Sequence, residues 1–328
     1  VKEKPEARMS KFETNLTRLP SKCGVQECLD VKDSQNPSRL AIWILAARPK
    51  TLWAAVAPVL IGTVMAFERD DVAWLPTAAT LFAAVMIQIG TNFSNDYFDW
   101  KRGTDTLDRL GPLRVTQAGL VKPGTMKTAF TLVFFFVACA GAYLTWRGGW
   151  PIAVIGAASI LSGILYTAGP YPLGYIGMGD LFVLVFFGPL AVGGTYYVQT
   201  LDMDMTVLVS GLAPGLLSVA ILTVNNLRDL DEDKKAGKRT LAVRFGRTFA
   251  RVEYLLCILI ASAIPTSFVL FSRGHSLSLG TLAVPFLAIP SIRKVFTSRD
   301  GPTLNGVLAA TGRLLLVYSI IFSVGWLL

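Results

Sequence analysis

Asn95-Asp96-Tyr97-Phe98-Asp99 and Asn225-Asn226-Leu227-Arg228-Asp229-Leu230-Asp231-Glu232-Asp233 each close a long apolar run and are each followed by a basic loop. Asn92, Asn95, Asp96 and Asp99 are three and four residues apart and share one helix face if the helix runs a turn past the apolar run. Asn225, Asp229 and Asp233 repeat every four residues and form a second stripe. Mg²⁺ takes one or two carboxylates and completes its shell with water and phosphate oxygens. Two such stripes facing each other suit metal ions with a diphosphate between them. One acidic cluster at a helix end is commonly just a solvated end, and the pairing of two carries the reading. Arg109, Arg114, Lys122, Lys235, Lys238 and Arg239 are candidate phosphate contacts, and the sequence does not choose among them.

The elements that must position these groups are membrane helices. Hydrophobic residues make up 52% of the 328, and the mean hydropathy of +0.51 exceeds that of a soluble domain. Apolar stretches able to cross about 30 Å of hydrocarbon lie at residues 41–67, 74–96, 126–147, 150–167, 178–199, 206–226, 248–272, 276–296 and 305–328. They are too long and continuous for barrel strands. The fold class expected is all-α, a bundle of about nine transmembrane helices spanning residues 39–328, with the two Asp-rich motifs on cytosolic loops.

Lys and Arg concentrate before residue 51, between 101 and 127, from 228 to 251 and from 293 to 299; the alternate turns hold only Arg69, Arg147 and Arg273. Positive residues mark the cytoplasmic side. The N-terminus is therefore expected inside, the C-terminus outside and both acidic clusters on the cytoplasmic face. The net charge of +9 sits in short loops beside helix ends, which suits topology and anionic lipid headgroups and points away from nucleic acid. Residues 1–38 carry charges of both signs without apolar periodicity and are expected to be a disordered cytosolic tail, neither transit peptide nor secretory signal.

Other chemistries lack their parts. Gly237-Lys238-Arg239-Thr240 lacks the upstream glycine of a P-loop, where Glu232 stands. Cys23 and Cys28 are poorly spaced for zinc, Cys139 and Cys257 fall inside apolar spans, and His275 lies in a turn away from both clusters. Because both clusters fall on one side, any internal repeat is parallel, unlike the inverted repeats common in transporters. A divalent-cation transporter stays open as an alternative, although the span centres carry almost no acids.

From about Arg39 onward the chain resembles the UbiA superfamily of intramembrane aromatic prenyltransferases. The resemblance rests on Ala47-Arg48-Pro49-Lys50-Thr51, the first acidic cluster with Asp105, Gly111-Pro112-Leu113-Arg114 with Gly119-Leu120, and residues 225–246. Within the superfamily it looks most like the menaquinone branch, through residues 109–114, 175–180 and 237–244. The first motif departs from the general pattern: Gly103 stands where a third acid is expected, and Asp105 follows two residues later.

The resemblance implies Mg²⁺ held by Asn95, Asp96, Asp99, Asn225, Asp229 and Asp233, with a polyprenyl diphosphate donor. It implies 1,4-dihydroxy-2-naphthoate as acceptor, with a decarboxylated product. Arg109, Arg114, Lys235, Lys238 and Arg239 would bind diphosphate. Tyr166, Lys122 and Arg48 are the catalytic candidates, Tyr166 for steadying a carbocation and Arg48 for the acceptor's carboxylate. Other acceptors, among them 4-hydroxybenzoate and homogentisate, and a phytyl donor remain open, and a bacterial inner membrane is the expected location.

Overall fold

The computed structural model describes residues 38–69, 71–104, 110–272 and 274–328. The tail expected over residues 1–38 therefore lies outside the described residues apart from Ser38, as do Asp105 and Arg109. Every element among the described residues is helical.

The chain enters through α1 (Arg39–Ala47), capped by the Ser38 hydroxyl. α1 ends because Arg48 turns left-handed (φ 55, ψ 68) and Pro49 cannot continue the hydrogen-bond ladder. After a 3₁₀ turn (Pro49–Thr51) the chain resumes as α2 (Trp53–Phe67), bent 53° from the first segment. What reads as one span over 41–67 is thus a broken one. α3 (Trp74–Arg102) and α4 (Pro123–Gly148) follow, then α5 (Trp150–Leu165), joined to α4 by the tight Gly148-Gly149 hairpin.

The run 178–199 also breaks, into α6 (Gly179–Phe186) and α7 (Pro189–Thr200). Gly188 allows this break to seat on the next helix. A Cβ there would strike the Leu184 and Gly211 carbonyl oxygens, and one on Gly211 would come within 2.7 Å of Pro189 Cα. That next helix, α8 (Met205–Arg228), is buried along most of its length. It is followed by the short α9 (Leu230–Lys235), α10 (Leu241–Ser272, interrupted at Gly246), a 3₁₀ segment (Ser276–Ala283), α11 (Val284–Thr297) and α12 (Gly301–Leu327).

Among the described residues, seven helical segments are long and apolar enough to cross a membrane, and the bent α1–α2 pair makes an eighth. The remaining candidate, α5, is apolar but only 16 residues long, so a count of nine full crossings is not reached. Leu132, Phe135 and Phe136 on α4 face outward, and Trp146 and Trp150 flank the hairpin as exposed aromatics, as at a membrane interface. The chain is built as an integral membrane protein.

Three hydrophobic clusters hold the bundle among the described residues, two of them large and the third a small group of Ala83, Leu144, Ile152 and Val198. The largest packs α2, α7, α8, α10 and α12 around buried Ile61, Leu217, Tyr254, Leu315 and Tyr318. The second packs α1, α3, α4 and the 115–121 loop around Phe93, Val115, Met126 and Phe130. At the end away from the acidic clusters, Glu68 ties the bundle together. Its carboxylate accepts from Trp326 Nε1 at 2.6 Å and lies 3.3 Å from His275 Nε2, while the His275 and Trp326 rings stack at 3.8 Å. The turn histidine is therefore part of a structural clasp.

Candidate active site

A cavity of about 610 Å³ runs between the two large clusters, lined by α2 through α8. One end is polar: Asn92, Asn95 and Asp99 from α3, and Asn225, Asn226, Asp229 and Asp233 from α8 and α9, with Arg114, Tyr175 and Lys238 from the loops. The rest is mostly apolar, walled by groups such as Ile87, Val137, Ile155 and Phe186, with Thr80, Gln88 and Thr145 among them. Both acidic clusters sit on helices and not, as expected, on loops. α3 runs on through Asp99 to Arg102 before Gly103 (φ 68) ends it, and the second cluster spans the α8–α9 junction. Helical backbone fixes the stripe geometry that loops would leave open.

Within the first cluster the carboxylates are held differently. Asp96 accepts the Val115 and Thr116 backbone N–H groups at 3.1 and 3.0 Å, anchoring the loop that follows, and does not line the cavity. Asp99 faces the cavity, with Arg114 Nη2 at 2.7 Å on one oxygen and the Tyr175 hydroxyl donating at 2.8 Å to the other. Asn95 accepts from the Thr167 hydroxyl at 2.9 Å, and Asn92 donates to the Ala47 carbonyl. Burial, and then the nearby Asp99 carboxylate, push the Tyr175 hydroxyl's pKa above its ordinary value, so it stays a donor at neutral pH.

The second cluster is organised by Arg228. Its guanidinium grips Asp229 through two bonds of 2.7 and 2.6 Å and donates also to Asn225 at 2.7 Å and to Asn305 on α12 at 2.6 Å. Adjacent helical residues do not ordinarily face each other. Here Asp229 leaves helical geometry (φ −90, ψ 7), which lets the fork close on its neighbour. Asn305 donates onward to the Leu110 carbonyl, and the Leu110 N–H reaches Glu232, so the loop after the first cluster is pinned over the second. Lys238 stands 3.2 Å from Asp233 and over the Tyr175 ring, which Arg102 also approaches.

Of the other residues expected at the site, Tyr166 lines the cavity, its ring edged by Gly174 and its hydroxyl by Gly179, where a Cβ would stand 2.9 and 3.0 Å away. Arg48 lines it too, held in its left-handed conformation, a backbone cost of roughly 1–2 kcal/mol of the kind that clusters at functional sites. Lys122, Lys235 and Arg239 are exposed and lie off the cavity wall, Arg239 offering its backbone N–H to the Tyr175 carbonyl. The sequence reading missed Tyr175 and Arg228 as site residues. Arg228 carried a signal, since it stands between Asn225 and Asp229; Tyr175 carried none, because 76 residues separate it from Asp99.

Among the described residues no three acidic, histidine or cysteine side chains already converge on one point. The donor set nevertheless fits Mg²⁺. Asn95, Asp99, Asn225, Asp229 and Asp233 present only hard oxygen ligands to one cavity mouth, and those with ion pairs are balanced by side chains that can rotate away.

Residues 55–326 match the UbiA prenyltransferase family. The chain is 36% identical over 302 residues to the 1,4-dihydroxy-2-naphthoate octaprenyltransferase of Haemophilus influenzae, covering 88% of this chain and 97% of that one. It is 41% identical over 281 residues to the enzyme of the same name from Mycobacterium tuberculosis, covering 85% and 94%. A UbiA homolog from Archaeoglobus fulgidus, solved bound to GPP and Mg²⁺, superposes with a TM-score of 0.65 at 13% identity, over 88% of this chain and 100% of that one, and so shares the fold. The chain belongs to the UbiA prenyltransferase family.

Proposed function

We propose, on the premise of that membership, that this protein transfers a polyprenyl group from polyprenyl diphosphate to 1,4-dihydroxy-2-naphthoate, with decarboxylation, giving demethylmenaquinol, the reduced form of demethylmenaquinone. One observation carries the reading: two clusters of carboxylates and amide oxygens, from α3 and from α8–α9, open on the polar end of a single cavity whose remainder is mostly apolar. The acceptor and the polyprenyl donor are supported by relatives named 1,4-dihydroxy-2-naphthoate octaprenyltransferase. Family membership removes the support for a cation transporter.

Asn95, Asp99, Asn225, Asp229 and Asp233 would hold Mg²⁺, with Asp96 as the sixth candidate, contributing through the loop it anchors. When bound, Mg²⁺ supplies charge neutralisation to the departing diphosphate, worth several kcal/mol in the transition state. Arg114 and Lys238, which face the cavity from their carboxylate partners, are placed to turn to phosphate oxygens. Lys122, Lys235 and Arg239, being exposed, would contribute a longer-range field, and Arg109, outside the described residues, would be a diphosphate contact. The allylic C–O bond breaks with both electrons leaving on the diphosphate. Tyr166, on the cavity wall, presents its ring to the allylic cation. The electron-rich naphthoate carbon attacks and loses its proton, the neighbouring carbon releases carbon dioxide and takes up a proton in its place, and the ring regains aromaticity as the hydroquinone. Arg48 would seat the acceptor's carboxylate while it is still attached. The prenyl tail occupies the apolar part of the cavity, each buried CH₂ contributing roughly 0.8 kcal/mol.

The acidic end would face the cytoplasm of a bacterial inner membrane, with the N-terminus inside and the C-terminus outside. The test is a membrane assay with radiolabelled octaprenyl diphosphate, with and without Mg²⁺, offering dihydroxynaphthoate and 4-hydroxybenzoate separately. A Mg²⁺-dependent lipid product with the naphthoate alone is expected. Product only with the benzoate would overturn the acceptor, and product without Mg²⁺ would overturn the metal.

A further inference from the structure

Gly141 on α4, Gly156 on α5 and Gly194 on α7 all line the cavity. Most glycines buried in this bundle are there because another atom occupies the place of a Cβ. Gly62, for example, would place one 2.6 Å from the Val192 carbonyl oxygen, and Gly163 would drive one into the Thr91 hydroxyl. The three cavity glycines differ. A Cβ on Gly141 or Gly156 would meet nothing within 4 Å, and one on Gly194 only Ile155 Cδ1 at 3.8 Å. Helical geometry does not require glycine at any of them, since none has a positive φ. In a helix interior each costs roughly 1 kcal/mol relative to alanine. Packing and backbone therefore give no reason for glycine at these positions, whereas the open space beside them does.

They also lie at one depth. Gly141 precedes the Gly148-Gly149 hairpin by seven residues and Gly156 follows it by seven, so each stands roughly 10 Å along its helix from the turn. Gly194 faces Ile155, beside Gly156. Gly163, two turns further along α5, packs on Thr91, a turn of α3 short of Asn95. The glycine level is thus roughly 16 Å from Asn95 along the cavity, at 1.5 Å per residue. Beyond it, Leu144, Ile152 and Val198 pack together with Ala83 and continue the cavity wall.

We propose that Gly141, Gly156 and Gly194 determine donor length: they keep open the level that a polyprenyl tail must pass and that a geranyl tail does not reach. This rests on the prenyl-transfer reading above. The glycines are specificity determinants and touch no reacting atom.

The experiment compares geranyl and octaprenyl diphosphate as donors for wild-type protein, Gly156→Ala, Gly156→Leu and Gly194→Leu, in membranes. A filled passage should obstruct the long tail, so the leucine variants should lose roughly tenfold or more in kcat/KM with octaprenyl diphosphate. With geranyl diphosphate they should match wild type, and Gly156→Ala should match it with geranyl diphosphate and fall between wild type and Gly156→Leu with octaprenyl diphosphate. Unchanged octaprenyl transfer in both leucine variants would overturn the proposal, since the tail would then leave the cavity before this level. An equal loss with both donors would overturn it too.

A readout independent of turnover is labelling of Gly156→Cys, in a chain whose four native cysteines are replaced by serine. Octaprenyl diphosphate should protect the thiol from a maleimide and geranyl diphosphate should not; equal labelling with both would sink the idea. Wild type that transfers neither donor would overturn the prenyl-transfer reading instead, and the selective protection would then still report the length preference.

Discussion

Asp96 of the first acidic cluster is held by two backbone N–H groups, whereas Asp229 of the second, like Asp99 of the first, is held by a guanidinium. A carboxylate that satisfies buried amides is part of the loop's fold and cannot be lent to a ligand without leaving them bare. A carboxylate held by Arg228 can exchange partners, because the cation has Asn225 and Asn305 to fall back on. Clusters that look alike as strings of Asn and Asp therefore divide their labour between building the site and serving it.

The largest effect expected on that view is at the serving residues. Asp229→Ala should cost at least about a hundredfold in transfer, as loss of a preorganised electrostatic group does, and chelation of Mg²⁺ should reduce the wild type to background. Wild-type rates from Asp229→Ala at saturating Mg²⁺ would end the metal assignment. Asp96→Ala should differ in kind. It strands two N–H groups at roughly 1–3 kcal/mol each and should show a clearly lowered melting temperature in detergent, whereas Asp229→Asn, which keeps an oxygen acceptor for the buried Arg228 guanidinium, should change it less. Equal melting temperatures for the two variants would erase the contrast.

A smaller effect is expected at Tyr175. Removing its hydroxyl in Tyr175→Phe deletes one hydrogen bond to a charged group, worth about 1.5–3 kcal/mol at most. Arg114 still holds Asp99, so the apparent Mg²⁺ affinity should fall by only a few-fold, roughly threefold to tenfold. A Mg²⁺ titration of transfer rate measures it. Smallest of all, Lys122→Ala and Lys235→Ala, exposed and off the cavity wall, should stay within about 0.5 kcal/mol, or roughly twofold, of wild type. A large loss at Lys235 would mean that α9 moves over the cavity during turnover.

Much of this was legible in the residues themselves. Apolar runs give membrane helices because lipid permits little else, and two repeats of Asn and Asp at helix spacing mark the faces that converge. The breaks at Arg48 and Phe187-Gly188 each precede a proline, Pro49 and Pro189, a signal that spans drawn from hydropathy alone pass over. Asp96 could not be told from Asp99, because the backbone groups it satisfies lie 19 and 20 residues downstream. Lys238 could not be told from Lys235, because only the turn at Gly237 (φ 73) decides which one meets Asp233. Long-range partners, not residue types, separated the members of each set.

The Glu68–Trp326 clasp joins residues 258 positions apart. At about 5–20 residues per second of synthesis, Glu68 waits roughly 13–50 s for its partner to be made. Through that interval α2 has neither its clasp nor its packing against α12. α2 must therefore persist in the bilayer in an open assembly until α12 is made and locks it in place.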